Sequence, residues 1–197
     1  EMVQGETFTT ADFSNVQHAY DYAVTTGDAS LIARAGRASQ LYCITHGPWQ
    51  RGIEVSHKTL ELESIGNEQR PLLQCNLATL LLYGGELPKA LEHCEEALEL
   101  GRTISLDLEA RVLATMANIY FVQGQLESAA GLASNAVGLW QKTNNRHAKV
   151  SGLQILGIAR SLQGFHDQGI AIFEDALTQA RATNVLYLET VAAINLG

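Results

Sequence analysis

Cys43, Cys75 and Cys94, six histidines (His18, His46, His57, His93, His147, His166) and the carboxylates Glu92, Glu95, Glu96 and Glu99 are the side chains with the most obvious chemical potential. Thiol and imidazole together make nucleophiles or metal ligands, and facing carboxylates move protons. The spacing supports neither use. The cysteines lie 32 and 19 positions apart with no CxxC, and no histidine stands at metal-ligand spacing from them. His93 and Cys94 are neighbours, but adjacent helical positions point about 100° apart. The four glutamates share one helical stripe and read as a solvated acidic face. GxxxxGK[ST], HExxH and GxSxG are all missing, so a phosphate-cradling loop, a zinc helix and a nucleophile elbow are excluded as motifs. The reading is a chain without an enzymatic site and without a cofactor, whose cysteines are reduced, buried and small.

Bulk properties narrow the partners. Among 197 residues, 13 basic and 21 acidic side chains give a net charge of -8 and a pI near 5.2. That is the wrong sign for neutralising nucleic-acid phosphates, so no direct nucleic-acid binding is expected. No run of about 18 apolar residues is present for a membrane span, and the start EMVQGETFTT lacks the basic and apolar regions of a secretory signal. A cytoplasmic, soluble chain is expected. Charged residues make up 17%, below the usual figure of about 25%, which suggests apolar surface covered by a neighbour.

The elements that would position any site come from a repeat. Gly85, Gly124 and Gly164 are 39 and 40 residues apart and close three similar segments: LATLLLYGGELPKALEHCEEALEL, MANIYFVQGQLESAAGLASNAVGL and LGIARSLQGFHDQGIAIFEDALTQ. Eight before each glycine stands a large apolar residue (Leu77, Met116, Leu156), and seven before it a small one (Ala78, Ala117, Gly157). Five after it the residue is again small (Ala90, Ala129, Gly169), and twelve after it is alanine (Ala97, Ala136, Ala176). Pro48, Pro71 and Pro88 suit helix starts, and no long alternating β-branched run occurs. An all-helical array of stacked pairs follows, with small residues at the helix crossings and glycine in the left-handed conformation at each corner. A degenerate copy turns at Gly47, with Gly52 and Thr59 in the small columns, and Leu196 with Gly197 form the large–small pair of a next copy. Arg160 stands in a column that holds Leu81 and Tyr120, where it either extends its head to solvent or pairs with an acid of the adjoining helix.

These columns resemble the tetratricopeptide repeat, with a unit of about 40 residues in place of the usual 34 or so. Units of that length resemble the repeat regions of bacterial STAND-type ATPases and LuxR-type transcriptional regulators. Asn15, Ala19, Ala23, Gly27, Asp28, Gly47 and Gly52 are similar to the entry into those regions. The resemblance implies an all-α, right-handed superhelical solenoid of about ten antiparallel helices. It would form one domain over 1–197, an excised piece of a larger protein, with half-repeats at 13–27 and 187–197 and repeats at about 30–67, 69–105, 107–145 and 147–185.

The resemblance also implies a concave groove lined by the first helix of each pair. Carried over, its lining is Arg34, Arg37, Leu41 and Ile44; Leu72, Cys75, Thr79 and Leu82; Arg111, Ala114, Asn118 and Phe121; and Ser151, Gln154, Ile158 and Ser161. Asn118 matches an asparagine that holds peptide backbone in such grooves, but Ala114 replaces the lysine of a dicarboxylate clamp. The arginines point to an acidic peptide or anionic ligand. The implied function is a non-catalytic sensor or protein-interaction module of a signalling ATPase or regulator, with a small-ligand or signalling-peptide receptor as the alternative. Self-association through open ends of the array is expected as well.

Overall fold

The computed structural model describes residues 10–102, 104–183 and 186–196. Among the described residues there are ten α-helices and no strand: α1 (Thr10–Thr26), α2 (Ala29–His46), α3 (Trp49–Leu60), α4 (Arg70–Tyr83), α5 (Leu87–Gly101), α6 (Leu106–Val122), α7 (Leu126–Thr143), α8 (Arg146–Leu162), α9 (His166–Arg181) and α10 (Leu186–Ile194). None of them is long and apolar enough to cross a membrane. Local chemistry sets several starts. Asp28 caps α2 by accepting the amides of Ser30 and Leu31 at 2.9 and 3.0 Å, Asn145 caps α8, and Pro71 occupies the first turn of α4, where no amide is needed.

The three glycine corners share one geometry. Gly85, Gly124 and Gly164 have φ of 80°, 76° and 91°. The amides just beyond them, on Glu86, Gln125 and Phe165, reach back to the carbonyls of Leu81, Tyr120 and Arg160 at 2.9, 2.9 and 3.0 Å. This double-bonded helix end satisfies carbonyls that would otherwise be orphaned, and it places one residue in the left-handed region, which costs a side-chain-bearing residue about 1 to 2 kcal/mol. Arg160 serves the corner with its side chain too. Its Nη1 donates to Gln163 Oε1 at 3.1 Å, and its guanidinium lies 5.9 Å from the Phe165 ring centroid. Among the described residues no acid of a neighbouring helix pairs with it, so of the two alternatives the ion pair is not the one seen.

The chain divides into two compact units, residues 1–93 and 94–197. In the first, α2 packs against α1, α3 and α4 around Tyr20, Ala23, Ile32, Val55, Ile65 and Leu73. Ala19, read with Ala23 as part of one pattern, is exposed, and Tyr20 takes the inward place. The first repeat also departs from the small column. Gln40, seven before Gly47, is fully buried and donates from Nε2 to Ser56 Oγ at 2.8 Å and to the Leu73 carbonyl at 3.0 Å, while Asn76 Nδ2 donates to its Oε1 at 3.0 Å. A satisfied polar hub thus replaces a small-residue contact between α2, α3 and α4. Burial raises the Tyr20 hydroxyl, which bonds Thr59 Oγ1 at 3.0 Å, and the Cys43 thiol above their ordinary ranges.

In the second unit α8 packs against α6, α7, α9 and α10. Ala117, Ala130, Ala133, Ala136 and Ala176 are fully buried at the crossings. A Cβ added at Gly157 would lie 2.5 Å from the Phe173 ring. α10 ends at Ile194 and Leu196 follows it as a turn residue; the large–small pair expected of Leu196 and Gly197 includes Gly197, which lies outside the described residues. All three cysteines are buried, as expected, and no disulfide joins any of them to a described residue.

Two outcomes follow from this packing. Gly157→Ala destabilises the fold by about 1 to 3 kcal/mol, because Phe173 must move, whereas Gly131→Ala in α7, where a Cβ meets nothing within 4 Å, stabilises by about 0.5 to 1 kcal/mol; urea unfolding of both variants measures the contrast. For the raised groups the neutral form is the one favoured in the fold. Their contribution is therefore complete below the unfolded thiol pKa of about 8.5 and is lost as pH rises through the higher folded values. Denaturant midpoints should fall between pH 9 and 11, roughly the span of the ordinary thiol and phenol pKa values, and Cys43→Ala should flatten the lower part of that fall.

Candidate functional site

Arg34 and Arg37 lie one turn apart on the exposed side of α2, and three positions is the spacing that puts two side chains on one helix face. With them, Ala33, Glu68, Gln69, Leu72 and Leu73 enclose a cleft of about 290 Å³ within the first unit. Its floor is apolar, from Leu72 and Leu73 of α4, and its mouth carries two guanidinium groups and the Glu68 carboxylate. The local balance is one positive charge in a chain of net charge -8. α2 can hold these arginines outward because its inner face, with Ile32, Ala33, Gly36, Ser39, Gln40 and Cys43, is buried. α4 is anchored beneath by Arg70, whose guanidinium donates to the carbonyls of Leu60, Leu62 and Ile65, each at 3.0 Å.

Of the residues carried over from the repeat pattern, Arg34, Arg37 and Leu72 meet around this cleft. Leu41 and Ile44 are half-buried further along α2, and Leu82 is half-buried near the end of α4. Thr79 donates its hydroxyl to the Cys75 carbonyl at 3.0 Å and so spends it within the helix. Cys75 must be corrected: at 1% exposure its side chain is core, with no surface to offer a ligand. In the second unit Ala114 is likewise buried, while Arg111 and Ser151 are exposed and Asn118, Phe121, Gln154, Ile158 and Ser161 are half-buried on α6 and α8. The Gln154 amide nitrogen is shielded and has no hydrogen-bond partner among the described residues.

Glu68 and Gln69 were missed by the sequence pattern. They sit 17 and 16 positions before Gly85, in the connection between repeats, ahead of the columns that the repeat register counts. The one signal available was their place beside Pro71, which marks a helix start and therefore a chain segment passing close to the preceding helix pair.

No protein-family model and no curated protein matches the sequence. Solved structures do match. BtubC (BKLC) from P. vanneervenii superposes with a TM-score of 0.78 at 17% identity, over 97% of this chain and 82% of that one. The TPR-like repeats of a kinesin light chain from Podosopora anserina give 0.65 at 17% identity, over 83% and 82%. MamA gives 0.63 at 16%, over 88% and 91%. The fold is therefore that of TPR-like helical-repeat proteins, and similarity at this level of identity speaks for the fold alone.

Gln154 offers a direct check of the α8 face. A buried donor without a partner costs about 1 to 3 kcal/mol, so Gln154→Leu should leave the chain equally stable or about 1 kcal/mol more stable in a thermal or urea titration. A marked loss would show that the amide is satisfied in solution.

Proposed function

We propose that this chain is a non-catalytic protein-interaction module that takes an acidic segment of a partner protein or peptide into the cleft between α2 and α4. The observation that carries the reading is the pairing of Arg34 and Arg37 over an apolar floor, in a chain whose charge is otherwise strongly negative. A guanidinium pair suits carboxylates, since each presents a planar fork of donors, and Leu72 and Leu73 offer a place for an aliphatic side chain between the acids. Glu68 at the rim disfavours a uniformly anionic ligand and selects for register, by repelling an acid placed opposite it.

In its finer form the proposal assigns the chain to the regulatory repeats of a bacterial signalling ATPase or LuxR-type regulator. Support comes from the sequence resemblance at Asn15, Gly27, Asp28, Gly47 and Gly52. It also comes from the way Gly27 (φ 69°) and Asp28 form the corner and cap that begin α2. In such a setting the partner is another segment of the signalling assembly, and self-association of chains is a further part of the reading. A receptor for a small ligand or signalling peptide is the alternative, and the 290 Å³ of the cleft is its basis.

Fluorescence anisotropy with a labelled peptide pool of alternating Glu and Leu residues, against the same pool with Gln for Glu, tests the proposal. The acidic pool should bind at least about tenfold tighter and lose affinity with added salt. Arg34→Glu combined with Arg37→Glu should remove that preference while leaving the melting temperature unchanged. Equal binding of both pools, or binding indifferent to the double reversal, would overturn it.

A further inference from the structure

A second cavity lies within the second unit, at the corner where α7 passes into α8. It measures about 190 Å³ and is lined by Trp140, Gln141, Asn144, Arg146, Lys149 and Gln179. The corner around it is fixed. Asn144 takes the left-handed conformation (φ 56°), the Asn145 amide reaches back to the Trp140 carbonyl at 3.0 Å, and Asp107 accepts from Thr143 Oγ1 at 2.6 Å and from Asn145 Nδ2 at 3.3 Å. Trp140 is 5% exposed and packs on Gly152, where a Cβ would meet its ring at 2.9 Å. The wall is therefore built before any ligand arrives.

The repeat itself shows what is unusual here. Fifteen positions before each corner glycine stands a charged residue: Arg70, Glu109 and Lys149. Arg70 spends its guanidinium on three carbonyls at the end of α3 and in the connection after it, and Glu109 faces Arg102 at 3.8 Å. Lys149, 9% exposed, meets only one acid among the described residues, the Asp175 carboxylate at 3.5 Å, whose other oxygen already accepts from Gln179 Nε2 at 3.0 Å. Beside it Arg146 makes no ion pair or side-chain hydrogen bond to any described residue, and neither do the amides of Gln141 and Asn144. The first turn of α8 carries these two cations and no acid, an arrangement opposed by the helix dipole unless an anion lies nearby.

We propose that this corner binds a phosphate group, either as the free ion or as the headgroup of a small phosphate monoester. Arg146 and Lys149, the latter shared with Asp175, neutralise it; the amides of Gln141 and Asn144 and the second N–H of Gln179 complete the donor set, and Trp140 forms the dry wall. Donors that come from α7, from the corner, from α8 and from α9 surround the space on several sides, which suits a tetrahedral oxyanion better than a planar carboxylate. The volume holds about six water-sized portions of about 30 Å³ each, enough for a phosphate and a short stem.

Trp49 and Trp140 are the only tryptophans, so Trp49→Phe makes Trp140 emission a local reporter. Titrated with inorganic phosphate at constant ionic strength, this variant should show a saturable emission change and a rise in melting temperature. Arg146→Gln in the same background, an exposed change that leaves the fold intact, should weaken the apparent affinity by about tenfold or more. Methyl phosphate binding tighter than inorganic phosphate identifies a monoester as the ligand, and the reverse order identifies the free ion. No saturable response in either signal, an unchanged affinity in the Arg146→Gln variant, or acetate binding as tightly as phosphate would each overturn the assignment.

Discussion

Close approach of helices at small residues is the constraint on which the rest of the structure depends. Where Gly157 faces Phe173, and where Gly52 faces Cys43 and Leu80, an added Cβ would come within 2.5 to 2.9 Å of a neighbouring side chain. The backbones therefore sit nearer than any larger residue permits, and the alanines that fill the equivalent positions in other repeats are fully buried. Such contacts gain dispersion energy over the whole crossing and bury the apolar face that a single helix pair leaves open. They also explain the composition. Many inward positions are alanine or glycine, so the core is built from many small contacts, and charged residues are left to the outer faces.

From that constraint the site follows. When the inner face of α2 is consumed by packing against α1, α3 and α4, the residues three apart on its other side are left on the exposed face, and these are Arg34 and Arg37. α4 then closes the cleft from below, because Arg70 ties its first turn to the last residue of α3, Leu60, and to Leu62 and Ile65 of the connection through three carbonyls. Gln69 makes no side-chain cap hydrogen bond, so the start of α4 is held in place by the three bonds from one guanidinium to carbonyls outside the helix. The cleft is thus a consequence of how two repeats are joined, rather than of any residue selected for it in isolation.

Much of this was legible in the sequence, and the boundary of legibility has a physical meaning. Corner glycines and small columns could be read because both answer a local steric demand: Gly85, Gly124 and Gly164 all carry positive φ, and Ala90, Ala97, Ala129, Ala136 and Ala176 are all at 0% exposure. Arg34, Arg37 and Leu72 were assigned to one groove by the family resemblance, and all three line the same cleft. Gln40 could not be read, since a buried amide in a small column is intelligible only once Ser56, Asn76 and the Leu73 carbonyl, up to 36 positions away, are brought to it. Cys75 was misread for a related reason. Its column faces a groove in the family pattern, but how far a neighbouring side chain covers it depends on the depth of packing, which no periodicity encodes.

The connections between repeats were the least legible part, and they border the two cavities described above. A corner between helices A and B is governed by one glycine and two backbone bonds, so it repeats with little variation. The passage from helix B to the next helix A has no such rule: one is tied by Arg70, another sets Glu109 against Arg102, and a third uses Asp107 to hold Thr143 and Asn145. Each solution leaves a different set of polar groups over. Where the tie is complete, as at Arg70, the side chain is spent and the surface above it is free to form a cleft from other residues. Where the backbone is tied by Asp107 instead, Arg146 is released from structural duty, while Lys149 reaches across to Asp175 on α9. A repeat array can therefore keep its core pattern constant and vary its chemistry at these joints, because the joints lie outside the columns that packing fixes.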